Sequence, residues 1–128
     1  VIGYFGKNPR LYEVGWWNLA FATVSIFIAV IFGQIEAGLA EPYTAAEPTL
    51  NLHTLLGWSL SGVIAAVTAW RYILRSRDPR TLPLPFLGIG VGLVGLVLIQ
   101  VYLGDLLVWV YGLHTVEVVE ATREGLLQ

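Results

Sequence analysis

An all-α membrane protein, a bundle of three transmembrane helices, is the fold class this sequence predicts, and three observations carry it. Of 128 residues, 56% are hydrophobic and only 12% are charged, where a soluble domain carries roughly a quarter charged residues. The apolar residues gather into three runs, each about the 20 residues that cross a hydrocarbon core of roughly 30 Å. The connections between the runs differ in charge, one acidic and one basic. A single core of this size could not hide so much apolar surface, so lipid must cover the rest.

The first span runs from about Val14 to about Ile35, through Trp16, Trp17 and the apolar stretch to Phe32. The second runs from about Leu50 to about Leu74, and the third from about Leu84 to about Leu103, or onward to Tyr111. In lipid, backbone polar groups must find partners within their own segment, which makes helix the default conformation. The spans form one integral membrane domain over residues 1–128, and Thr115 to Gln128 reads as a surface tail.

Charge orients the bundle. Arg71, Arg75, Arg77 and Arg80 gather in the short connection between the second and third spans, beside Pro79, Pro83 and Pro85, and Lys7 and Arg10 precede the first span. The other connection carries Glu36, Glu41 and Glu47 and no basic residue. The positive-inside rule then places the first span's start and the arginine-rich loop in the cytoplasm. The acidic loop and the C-terminal tail fall on the outer side, in a periplasm or thylakoid lumen. Aromatic residues fit this frame. Trp16, Trp17, Trp70 and Tyr72 lie near the inner interface, with Tyr102, Trp109 and Tyr111 near the outer one, as amphipathic rings prefer.

Small residues recur at helical spacing. Ala22, Ser25, Ala29 and Gly33 share a face of the first span, Gly57 and Ser61 continue the line below His53, and Gly88, Gly92 and Gly95 form a patch on the third. Such faces let helices approach closely. Gly90, Gly92 and Gly95 also spell a dinucleotide fingerprint. That motif requires a strand before it and a helix after it, so mid-span it signals packing instead.

Absences narrow the chemistry. The chain has no cysteine, which removes disulfides, thiolate metal sites and a cysteine nucleophile. It has no methionine, even at position 1, from which we expect that its start was removed. No secretory leader is recognisable, no serine, lysine or carboxylate set forms a catalytic triad, and no basic stripe points to nucleic acid. A role as a non-catalytic subunit fits better than an enzyme acting alone.

The two histidines are the remaining candidates. His53 opens the second span and His114 follows the third, so both imidazoles fall at the same side. Neutral imidazoles from facing helices can ligate a haem b iron or the magnesium of a chlorin. They can equally bond a quinol hydroxyl and take its proton, because histidine titrates near neutrality. Gly57 and Ser61 below His53 would leave room for a flat ligand. Both histidines could also be mere interfacial anchors, with no cofactor bound. Asp105 ends the main apolar stretch. At mid-bilayer its carboxylate would cost about 2.5–3.5 kcal/mol, so it reads as a solvated helix end, or as a relay passing a proton outward. Gln100, one turn deeper, is expected to bond a neighbouring helix.

The segment Tyr12-Glu13-Val14-Gly15-Trp16-Trp17-Asn18-Leu19 resembles the entry to the second helix of a membrane family catalogued as domain of unknown function 2231. Leu52-His53-Thr54-Leu55-Leu56-Gly57 resembles its third-helix start. Leu103-Gly104-Asp105-Leu106 and Tyr111-Gly112-Leu113-His114-Thr115 resemble its last-helix ending, most closely in the cyanobacterial branch. The resemblance implies four helices, of which the first, opening on a His-Pro pair, has no counterpart here. It also implies further outer-side histidines joining His53 and His114. Relatives fused to Rieske-type domains, or encoded beside terminal oxidase subunits, point to a respiratory or photosynthetic electron-transfer assembly. The alternative is a cofactor-free accessory subunit that stabilises a larger complex of transmembrane partners. A transporter is disfavoured, since the spans show no inverted repeat and few polar residues at mid-depth.

Overall fold

The computed structural model describes residues 2–40 and 42–127. Glu41 of the acidic loop and Gln128 of the tail lie outside the described residues. A short helix α1 (Ile2–Phe5) precedes the long helices α2 (Pro9–Leu39) and α3 (Glu47–Arg77). Helix α4 (Leu84–Asp105) continues into a π-helical turn (Leu106–Val110), and α5 (Val116–Arg123) closes the chain. No strand occurs among the described residues. Three helices, with α4 counted through the π turn, are long and apolar enough to cross a membrane.

Local chemistry sets each boundary. Asn8 caps α2, its side-chain oxygen accepting from the Arg10 N–H at 3.0 Å, and Pro9 takes the first helical turn, where no N–H is needed. Helix α3 carries Glu47 in its first turn and Arg75 and Arg77 in its last, each sign matching the helix dipole. It stops at Asp78, whose backbone is extended because Pro79 follows. Asp78 then organises the loop. One carboxylate oxygen accepts from the Arg80 N–H at 2.9 Å and the other from the Thr81 hydroxyl. The Thr81 bond, with the Arg80 N–H second, holds the Asp78 carboxyl below its ordinary range. That contribution is present above the unfolded pKa and fades as pH falls through the depressed one.

The observed helices are longer than the sequence spans. At 1.5 Å per residue, α2 and α3 each reach about 46 Å, so their last turns project into the headgroup region. Two expectations change accordingly. Arg71 and Arg75 belong to α3 and not to the connecting loop. The segment after Thr115, read from the sequence as a surface tail without assigned secondary structure, forms a helix, α5.

Helix α3 is central, touching both α2 and α4. Its buried residues Gly57, Leu60, Ser61, Ile64, Val67 and Arg71 form a stripe, while no residue of α2 is buried. Midway along, the Thr23 and Thr68 hydroxyls lie 2.7 Å apart. Thr23 donates its one proton to the Leu19 carbonyl at 2.8 Å, so Thr68 must donate to Thr23. Thr68→Val removes that interhelical bond. We expect a loss of about 0.6 kcal/mol and at most about 1.7, measured by reversible unfolding in mixed micelles. An unchanged midpoint would assign the contact no weight.

The small-residue faces of the first and third spans do not pack within the chain. Ala22 and Ser25 are exposed, as are Gly88, Gly92 and Gly95, and a methyl added at any of these three glycines would meet nothing within 4 Å. Only Gly57 and Ser61 of the expected stripes are buried between helices. The cause is compositional: α2 and α4 are apolar all round, so no polar face dictates which side turns inward.

The bundle has two chemically distinct ends. At the basic end Arg75 clasps Glu13, its Nε donating to one carboxylate oxygen at 3.0 Å and its Nη2 to the other at 2.7 Å. The same guanidinium lies 5.5 Å from the Trp16 ring centre. The opposite end is closed by a small plug of Ala46, Leu107 and Leu113, flanked by Tyr43, Leu50 and Tyr111. The Tyr43 hydroxyl donates to the Tyr111 carbonyl at 3.0 Å.

Candidate functional site

Near the plugged end a cleft of about 470 Å³ opens between α2, α3 and α4. Ala29, Val30, Gly33, Trp58 and Val108 give it apolar walls, and His53, Gln100 and Asp105, together with Gln34 and Thr54, supply its polarity. Two glycines shape it reciprocally. Gly57 on α3 faces Gln100 on α4, where an added Cβ would sit 3.1 Å from the amide nitrogen. Gly104 on α4 faces His53 on α3, where an added Cβ would sit 3.3 Å from the ring. Each helix thus gives up a side chain so that the other's polar group can reach its backbone.

Hydrogen bonding fixes the orientation of both groups. Gln100 Nε2 donates to the His53 carbonyl oxygen at 2.9 Å, so the amide cannot be flipped without facing oxygen to oxygen. The same nitrogen lies 3.3 Å from His53 Nε2. That ring nitrogen is therefore the acceptor, and the proton resides on Nδ1. His53 Nδ1 and Gln100 Oε1 are then left buried and without partners among the described residues. The two orphans are of opposite sense, one donor and one acceptor, and belong to residues that line one cleft. In a native fold such atoms call for a ligand or water.

The cleft gathers His53, Gly57, Asp105, Ala29 and Gly33 from among the residues singled out by sequence. Asp105 is exposed there, one turn before the end of the helix, which continues as a π turn to Val110. Gln100 bonds a neighbouring helix as expected, and its partner is His53 itself. Ser61 does not line the cleft. It is 0% exposed, and its hydroxyl donates to the Gly57 carbonyl at 2.8 Å. His114 lies at the same end of the bundle but outside the cleft lining. It is exposed, with its Nδ1 3.7 Å from a Glu36 carboxylate oxygen. Its φ of +74° places it in a turn that side chains rarely adopt. The shared outer pocket expected for two imidazoles is therefore built around one.

Sequence reasoning passed over the part played by Gly104, although its position four residues after Gln100 on one helix face was a readable signal. Gly88, Gly92 and Gly95 lie elsewhere on α4 and take no part in the cleft. Among the described residues no group of three or more His, Asp or Glu side chains could hold a metal ion. A bis-histidine haem or chlorin fits this arrangement poorly: His53 Nε2 is engaged by Gln100, and His114 is turned toward Glu36.

A family model described as Predicted membrane protein (DUF2231) matches residues 1–117. No curated protein and no solved structure matches the chain.

Proposed function

The chain belongs to the DUF2231 membrane-protein family, and on that premise we propose that it is a small subunit of an electron-transfer assembly whose cleft takes a quinone head group. The observation that carries this reading is the pair of orphaned atoms beside one cleft, His53 Nδ1 and Gln100 Oε1. A quinone carbonyl would accept from Nδ1–H, and a quinol hydroxyl would donate to Oε1. Apolar walls would hold the ring, as is usual for pockets of this kind. Asp105, exposed at the same cleft, is the carboxylate to which a quinol proton would pass. His53 acts as a donor in this scheme, which differs from the proton-accepting role expected of it, because Gln100 occupies its lone pair.

In the same reading the basic end faces the cytoplasm under the positive-inside rule. The cleft then opens toward a periplasm or thylakoid lumen, in a bacterial inner or thylakoid membrane. One observation favours the rival reading of a cofactor-free accessory subunit: Ala22, Ser25, Gly88, Gly92 and Gly95 face outward, where partner helices of a larger complex could pack.

Trp58 lines the cleft and serves as a reporter once Trp16, Trp17, Trp70 and Trp109 are replaced by Phe. In nanodiscs, a short-chain quinone should quench Trp58 saturably. His53→Leu and Gln100→Leu should each weaken binding on the order of tenfold, the worth of one buried hydrogen bond. Quenching that stays linear and equal in all variants would remove the quinone. A b-type haem spectrum that vanishes in His53→Ala would replace it with haem.

A further inference from the structure

At the basic end, independent of the His53 cleft, a second cavity of about 210 Å³ lies among α1, α2, α3 and the start of α4. Its walls include Tyr4, Tyr12, Trp16, Phe86 and Leu87, and one cation, Arg71. Arg71 is 2% exposed. Its Nη1 donates to the Thr81 carbonyl oxygen at 3.2 Å, while its Nη2 is buried and has no partner among the described residues. Among the described residues no carboxylate lies within ion-pair distance of it. Glu13 is close enough to be felt, but both of its oxygens are taken by Arg75.

A guanidinium is permanently charged and presents a planar fork. Removing one partner of a buried ion pair is costly because the remaining charge is stranded, and Arg71 comes close to that state, with Glu13 acting on it only through space. Charged groups within membrane helices face partners or functional cavities. We propose that Arg71 binds the phosphate of an anionic phospholipid. Phosphate oxygens match the Arg fork, and the apolar and aromatic walls suit the upper part of an acyl chain. Arg75 and Arg77, in the last turn of α3, and Arg80 in the following loop add positive charge at the same end, where anionic lipid is drawn to basic residues.

The test measures thermal stability and co-purifying lipid phosphorus for the full chain in mild detergent. Phosphatidylglycerol, phosphatidylcholine or inorganic phosphate is added in separate arms. Phosphatidylglycerol should raise the melting temperature of the parent protein, and Arg71→Gln should weaken its apparent affinity on the order of tenfold. Gly90→Leu fills the cavity from a site where an added Cβ meets nothing within 4 Å, so it should fold, lose the lipid response and decide the matter if Arg71→Gln does not fold. Arg80→Gln should keep the response. The proposal is overturned if phosphatidylcholine acts equally, if inorganic phosphate alone reproduces the shift, or if Gly90→Leu still responds. It also falls if Arg80→Gln erases the response as fully as Arg71→Gln does.

Discussion

Gly57→Leu is expected to be the most damaging single substitution in the membrane region, destabilising the bundle and abolishing ligand binding together. All three long helices meet at this point. A Cβ at Gly57 already lies 3.1 Å from Gln100 Nε2 on α4 and 3.6 Å from Val30 Cγ2 on α2. A leucine would drive its remaining atoms through one or both, and overpacking of this kind costs about 1–3 kcal/mol. It would also displace the amide that reaches the His53 carbonyl, adding about 0.6 kcal/mol for a lost interhelical bond. The matched control is Gly62→Leu on the same helix, exposed and with nothing within 4 Å of the added atom. Gly62→Leu should leave unfolding in micelles unchanged while Gly57→Leu lowers its midpoint sharply. Equal behaviour of the two would mean that α3 and α4 do not approach as described.

Gly112→Val is expected to release the plugged end and leave the span intact. Gly112 has φ +64°, and an added Cβ would lie 2.9 Å from Val118 Cγ2 and 3.2 Å from Thr115 Oγ1. The left-handed conformation alone costs an L-residue roughly 1–2 kcal/mol, and the contact with α5 adds to it. The neighbouring Leu113 is 2% exposed against Ala46 and Leu107, and its N–H donates to the Leu107 carbonyl at 3.0 Å. Strain at Gly112 is therefore felt by the plug. Hydrogen exchange over residues 106–123 should accelerate while α3 stays protected. Gly125→Ala has a similar φ of +72° but open space around the added atom, so it should show only the backbone penalty. Unaltered exchange in Gly112→Val would refute the strain argument.

Much of this architecture was legible because length and hydropathy are enough to mark a membrane helix. The three apolar runs lie where the chain alone indicates, and the break at Pro79 falls among the prolines of the arginine-rich connection. What could not be read was orientation about each helix axis. A soluble helix advertises its buried face by contrast, but the stretch from Leu84 to Leu103 has almost none to offer. Gly88, Gly92 and Gly95 stand out in the sequence as a packing patch, while the glycine of α4 that meets another helix is Gly104. Arg71 shows the converse. Counted with its basic neighbours it looked like a surface charge, and only the approach of α1 and the aromatic rings around it reveals that it is enclosed. Gln100 was readable as an interhelical group because a carboxamide within a span has few alternatives.

Helix α3 acts as a calliper. His53 and Arg71 are eighteen residues apart on it, about 27 Å at 1.5 Å per residue, close to the roughly 30 Å depth of a hydrocarbon slab. With α3 along the membrane normal, either group at the midplane would leave the other about 12 Å outside the slab. Placed symmetrically, each would come near one leaflet rim, and ligands of the two proposed sites would arrive from opposite monolayers.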